Sequence, residues 1–153
     1  MPRLDAREAR RRFAAARVAR LATVGPDGRP HLVPVVFAVR GDTIVTAVDH
    51  KPKTTTALRR LRNIAAHPAV CLLADAYDED WTRLWWARAD GHARILPPDG
   101  PDATSVARLR ALELLRHTYP QYAAHPPDGA VVDITVRRWT GWTGWTGGTD
   151  RTL

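Results

Sequence analysis

The stretch Thr43-Ile44-Val45-Thr46-Ala47-Val48-Asp49-His50-Lys51-Pro52-Lys53-Thr54-Thr55-Thr56-Ala57-Leu58-Arg59-Arg60-Leu61-Arg62-Asn63-Ile64-Ala65 decides how this chain is read. Its first six residues are β-branched or small and suit a strand, whereas Ala57, Leu58, Leu61, Ile64 and Ala65 recur at helical spacing. The polar segment between them therefore lies where a strand hands over to a helix N-terminus. Of 23 basic residues only Lys51 and Lys53 are lysines, and both fall in that segment. A helix N-terminus is already positive, and its free backbone N–H groups point at incoming anions. Two ammonium groups beside Thr54, Thr55 and Thr56 are stabilised if a phosphate sits among them, so the segment reads as a phosphate clamp.

Outward from it the chain alternates strand signals with turns. A short helix is expected from Asp5 to Ala16, with Leu4, Ala9 and Phe13 on one face and arginines on the other. Strands follow over Val18–Val24, His31–Val39 and Thr43–Val48, separated by Gly25-Pro26-Asp27-Gly28 and by a tight turn at Gly41-Asp42, the order of an antiparallel meander. His67-Pro68 stops the second helix. Ala69–Ala74 is nearly continuous in apolar residues and is expected to be buried on both faces. A fifth strand is expected over Arg83–Leu96, a helix over Thr104–His117 and a last strand over Val131–Arg138. Six strands and three helices predict an α+β domain built on a small antiparallel barrel, spanning residues 1–138. Trp139–Gly148 reads Trp-Thr-Gly three times, a period that fits neither helix nor strand, so residues 139–153 are expected to be a tail whose first tryptophan packs.

At 153 residues the chain is one domain long. The net charge of +7 and isoelectric point near 10.7 suit an anionic partner without naming it. Cys71 is the only cysteine and lies in an apolar run, which excludes an intrachain disulfide framework and leaves a cytoplasmic setting as the default. The arginine-rich N-terminus is interrupted by Asp5 and Glu8 without a following apolar stretch, unlike a targeting peptide, and no segment is long enough to span a membrane. The six histidines, at 31, 50, 67, 92, 117 and 125, lack ligand spacing, so no metal site is expected. Asp75, Asp78, Glu79 and Asp80 lack the glycine and alternating oxygens of a calcium loop and read as a solvated turn. Neither a nucleophile elbow nor a dinucleotide-binding glycine fingerprint is present.

The succession Ala22-Thr23-Val24, Gly25-Pro26-Asp27-Gly28-Arg29-Pro30, His31-Leu32-Val33-Pro34-Val35-Val36-Phe37, hairpin, strand, Lys51-Pro52-Lys53-Thr54, helix and a strand ending in Asp75 resembles the pyridoxamine-phosphate-oxidase-like split β-barrel family. It is most similar to the branch that uses the deazaflavin coenzyme F420. Asp80-Trp81-Thr82-Arg83-Leu84-Trp85-Trp86 and Arg138-Trp139 resemble a subgroup of actinobacterial oxidoreductases.

The resemblance implies a homodimer of six-stranded split barrels with flanking helices and cofactor grooves between subunits. It implies that Lys53 holds a cofactor phosphate, with Lys51, Pro52 and Thr54 beside it, and that Pro34, Val35, Val36, Thr46, Ala47 and Val48 line the ring slot. Trp85 and Trp86 are expected either to pack at a core or subunit interface or to wall the substrate cavity. The implied activity is hydride transfer from reduced coenzyme F420 to a small unsaturated or carbonyl substrate, with an FMN-dependent oxidase or reductase as the nearest alternative. No arginine-rich C-terminal substrate motif of the vitamin-making oxidases is evident, Arg137-Arg138-Trp139 being the nearest approach. A basic nucleic-acid-binding module is the rival from another class, and basic residues scattered along the chain rather than gathered in one stripe disfavour it.

Overall fold

A computed structural model describes residues 2–48, 55–102 and 104–144, those at 55–58 by backbone alone. In chain order the elements are β1 (Arg3–Leu4), α1 (Ala6–Ala15), β2 (Ala19–Val24), β3 (Pro30–Val35), β4 (Ala38–Arg40), β5 (Thr43–Ala47), α2 (Thr55–Ala66), β6 (Ala69–Ala76), β7 (Trp85–Leu96), α3 (Val106–Thr118), α4 (Pro120–Ala124) and β8 (Val131–Thr143). A single 3-10 turn, Trp81–Arg83, precedes β7. All strands join one antiparallel sheet in the order β3-β2-β6-β7-β8-β5-β4, with β1 paired to β8. Its two edges, β3 and β4, are joined in the chain only by Val36 and Phe37, so the sheet wraps round one core while its edges stay unpaired with each other.

That core is made by alternate residues of every long strand. Leu21, Val33, Ile44, Leu72, Ala89 and Ile134 turn inward, and α1 closes over them with Ala9 and Phe13. The Phe13 ring lies 4.9 Å from that of Phe37 and 5.4 Å from that of Trp139. The cap of α1 is the one its sequence specifies: Asp5 accepts the Glu8 N–H at 2.8 Å. Beneath α2, Asn63 donates to the Thr23 hydroxyl at 3.1 Å, which satisfies two buried polar groups together. A second apolar cluster lies on the outer face of β4, β5 and β8, where α3 and α4 bring Ala111, Leu115 and Tyr122 against Val45, Ala47 and Val131. Among the described residues nothing gives the outer face of β3, β2 and β6 such cover, and Leu32 there is 66% exposed.

Several expectations are corrected. Among the described residues the sheet has eight strands, not six, and four α-helices accompany it. The expected strand His31–Val39 divides at Val36-Phe37 because the chain crosses there from one sheet edge to the other. The pair Arg3–Leu4 forms β1, too short to leave a periodic signal. β6 is buried on one face only, with Leu73 and Asp75 facing out where no helix covers the sheet. Strand β7 begins at Trp85, since Asp80 caps the preceding turn by accepting from the Thr82 N–H at 3.1 Å and its hydroxyl at 2.7 Å.

The largest departure is β8, which runs through Thr143 and takes in two of the Trp-Thr units. Strand alternation turns Trp139 and Gly141 inward and Trp142 outward, and a glycine is needed at 141 because a Cβ there would stand 2.8 Å from the Trp86 carbonyl oxygen and 3.3 Å from the Ala9 Cβ. A bulge absorbs the change of register. Asp90 faces Arg138 and Gly91 faces Val136, leaving Arg137 as the extra residue. Among the described residues no helix is long and apolar enough to cross a membrane.

Candidate functional site

The two strand ends expected to line the ring slot meet in the structure. The Thr46 hydroxyl donates to the Val36 carbonyl at 2.7 Å, fastening the end of β5 to the chain that leaves β3. The six residues divide by role. Val35, Thr46 and Ala47 are buried, the first two toward the inner core and Ala47 beneath α3, so their side chains are committed to packing. Pro34 and Val36 are exposed, Val36 to 39%, and Val48 is half-buried with its N–H donated to the Ala130 carbonyl at 3.0 Å. Pro34 and Val36 offer two short apolar side chains beside backbone groups on the unpaired side of β3. That chemistry fits a flat ring with a polar pyrimidine edge.

Lys51, Pro52, Lys53 and Thr54 lie outside the described residues. The elements that flank them are as read from sequence: β5 ends at Ala47 and α2 begins at Thr55. Near Arg59 and Arg60 of α2 is His31, on the inward row of β3. Its Nδ1 is buried without a partner among the described residues. Burial, and then the guanidinium groups of Arg59 and Arg60, hold its pKa below the usual imidazole value, which favours a neutral ring. Nothing in the strand pattern distinguishes His31; burial and the approach of Arg59 and Arg60 from α2 give it this environment.

Tyr119 was equally invisible. It stands at the junction of α3 and α4, and its hydroxyl bonds both backbone groups of Phe37, the residue next to the slot. Asp42, in the β4–β5 turn, accepts from Trp139 Nε1 at 2.9 Å and from Arg10 at 3.2 Å, and these bonds, the tryptophan's foremost, hold its carboxyl below the usual range.

Trp85 and Trp86 lie elsewhere. With Tyr77, Leu84, Arg88 and Trp142 they line a cavity of about 340 Å³; Trp86 stands on the outer face of β6, β7 and β8, whereas Trp85 alternates to the opposite face and packs against the inner core. The Arg88 guanidinium sits 5.6 Å from the Trp86 ring centroid and donates to Asp90 at 3.1 Å, while that of Arg12 sits 5.9 Å from the Trp85 centroid. In the sheet Pro34 faces Arg20, Arg20 faces Leu73 and Leu73 faces Arg88. Three strand spacings, about 14 Å, therefore separate the Pro34 side of the slot from the tryptophan cavity within one chain. Cys71 lies on the open face between them, its thiol pushed up chiefly by burial and then by Asp90, so it is no ready thiolate.

The sequence profile of pyridoxamine 5'-phosphate oxidase matches residues 6–143. The chain belongs to the pyridoxamine 5'-phosphate oxidase family. Solved structures share its fold. A protein from Mesorhizobium loti described as FAD-binding is 21% identical with a TM-score of 0.67, over 92% of this chain and 95% of that one. The conserved hypothetical protein Rv2991 of Mycobacterium tuberculosis is 25% identical with a TM-score of 0.65, over 92% and 84%. A heme-binding protein of Mycobacterium smegmatis is 21% identical with a TM-score of 0.70, over 95% of this chain and 56% of that one. No curated protein matches the chain significantly. A pyridoxamine 5'-phosphate oxidase family barrel accounts for the sheet order and for the edge strands left apart beside the expected ring slot.

Proposed function

We propose that this chain is an oxidoreductase that holds reduced coenzyme F420 and passes hydride to a small unsaturated or carbonyl substrate. The observation that carries this reading is the Thr46–Val36 bond, which ties the end of β5, the strand that runs on toward Lys51 and Lys53, to the chain leaving β3. When bound, the deazaflavin supplies the hydride. The chain's part is to position. Pro34 and Val36 flank the ring, backbone groups of β3 and β5 meet its polar edge, Val35 and Thr46 fix those strands from within, and Lys51, Pro52, Lys53 and Thr54 hold the phosphate.

The tryptophan cavity stands about 14 Å from the slot of its own chain. The reading therefore includes a homodimer in which the exposed faces of β3, β2 and β6 meet and Trp86 of one subunit, with Trp85 at its edge, walls the substrate space of the other. Leu32 and Leu73, both exposed, supply apolar area for that contact. The polar groups among them are internally paired, Arg20 with Asp75 at 2.9 Å and Arg88 with Asp90 at 3.1 Å, and are ready for burial. The tail after Thr143 and a cytoplasmic setting complete the proposal.

FMN is the second reading, favoured by a relative of the same fold described as FAD-binding and by a slot formed largely of backbone. Titration of the purified protein with each cofactor, followed by tryptophan fluorescence, separates them. Saturable binding of coenzyme F420 at lower concentration than FMN is expected; the reverse order favours the flavin, and no saturation by either removes both. A monomeric mass by light scattering at micromolar concentration removes the shared site.

A further inference from the structure

A second cleft, of about 380 Å³, opens between α3 and the outer face of β4, β5, β8 and β7. Its floor follows the sheet register: Arg40 faces Thr43, Thr43 faces Thr135, and in the next row Val45 faces Asp133, which faces Arg94. From above, α3 offers Ala107 and Ala111, whose small side chains leave space over the sheet, and Arg110 at their flank. Three guanidinium groups and one carboxylate leave this lining with a surplus of two positive charges.

That surplus is organised. Asp133 is buried, and it accepts from Arg94 Nε at 2.8 Å, which anchors this guanidinium at the cleft and consumes the only acidic side chain present. The terminal amino groups of Arg94, and the whole guanidinium groups of Arg40 and Arg110, have no partner among the described residues. Beneath α3 a further cation, Arg108, is 4% exposed and is satisfied by the carbonyls of Leu96 and Gly129, at 3.2 and 3.0 Å, rather than by an acid. The cleft is thus rich in donors and poor in acceptors, with Thr43 and Thr135 adding hydroxyls.

We propose that this cleft is a binding site for a small phosphate monoester, distinct from the slot beside β3. The lining of the cleft reaches along β5 only to Val45, three residues or about 10 Å before Val48, and lies on the face of β5 opposite Thr46, so the two places are neighbours on opposite faces. A phosphate monoester carries nearly two negative charges and three strong acceptor oxygens, which answers the charge surplus and the three guanidinium groups, of Arg40, Arg94 and Arg110, that line the cleft. The cleft is larger than the phosphate alone, and Val45, Ala107 and Leu114 give an apolar wall for a compact organic body.

Calorimetry on the full chain with glycerol 3-phosphate, inorganic phosphate and glycerol tests this. One saturable site per chain is expected for glycerol 3-phosphate, weaker binding for inorganic phosphate and none for glycerol. Arg40→Ala combined with Arg110→Ala should lower the affinity at least tenfold, whereas Lys53→Ala should leave it unchanged. Should the double variant lose its native circular dichroism, Arg110→Gln on the exposed face of α3 carries the same comparison. Absence of saturation, equal affinity in the arginine variants, or loss of binding through Lys53→Ala alone would overturn the assignment.

Discussion

The Tyr119 hydroxyl accepts the Phe37 N–H at 2.9 Å and donates to the Phe37 carbonyl, so one phenol satisfies both backbone groups of a residue 82 positions earlier. Where the sheet leaves Phe37 without a strand partner, this side chain takes the strand's place. Tyr119→Phe strands both groups in a partly buried setting and should cost about 1–3 kcal/mol, read as a lower midpoint in urea unfolding. Burial raises the phenol's pKa above its ordinary 10.0. A raised folded value means that the contribution is complete below about pH 10 and fades as pH climbs through the folded pKa. The parent should therefore lose stability in strong alkali more steeply than the phenylalanine variant; parallel profiles would dismiss this role.

Lys53→Ala should weaken cofactor binding by about 1.5–3 kcal/mol, roughly ten- to hundred-fold, and Lys51→Ala should do so less. Without cofactor, removing a cation from a helix N-terminus leaves the melting temperature unchanged or slightly higher. Unaltered affinity across a range of salt, or a sharp loss of melting temperature in the empty protein, would count against the clamp.

Gly141→Ala should destabilise the fold by about 1–3 kcal/mol, since the added methyl meets the Trp86 carbonyl oxygen at 2.8 Å and that backbone is held in the sheet. The Leu4 side chain, also at 2.8 Å, can move aside; the carbonyl cannot. A denaturation midpoint equal to the parent's would show that β7 and β8 are more loosely joined at this end than described.

Glu8 accepts from Arg11 and Arg12, and these bonds lower its pKa from 4.5 to about 2. Its depressed folded value means that the stabilisation is present above about pH 4.5 and is lost as pH falls toward 2. Glu8→Gln should flatten the acid limb of a melting-temperature profile over that window. Because these groups lie on the surface, added salt should shrink the difference.

Strand and helix identities were legible wherever one face met the core and the other met water, as in β2, β3 and α1. The hand-over from β5 to α2 was legible for the same reason. What escaped depended on distant partners. The break at Val36-Phe37 is set by Tyr119, the environment of His31 by α2, and the length of β8 by the bulge at Arg137 and by β7 and β1 on either side. The candidate slot was readable as a pair of strand ends, but not the division by which Val35, Thr46 and Ala47 turn inward while Pro34 and Val36 face out. The Arg94–Asp133 pair joins residues 39 positions apart across two strands, a relation no local pattern announces.

The tripeptide Trp139-Thr140-Gly141 is followed at once by an identical copy, Trp142-Thr143-Gly144. Locally, sliding the strand by three residues would replace each side chain with its equal, so this end of the sheet carries no sequence information about its own alignment. The upstream half breaks the tie. Three is an odd number, and the same slip applied to Val131–Val136 would send Val132, Ile134 and Val136 from the core to the outside. Proofreading of the repeat is thus done from a distance, by an aliphatic half-strand and by the grip of Asp42 on the first indole; the second copy stands as a spare whose use the rest of the strand forbids.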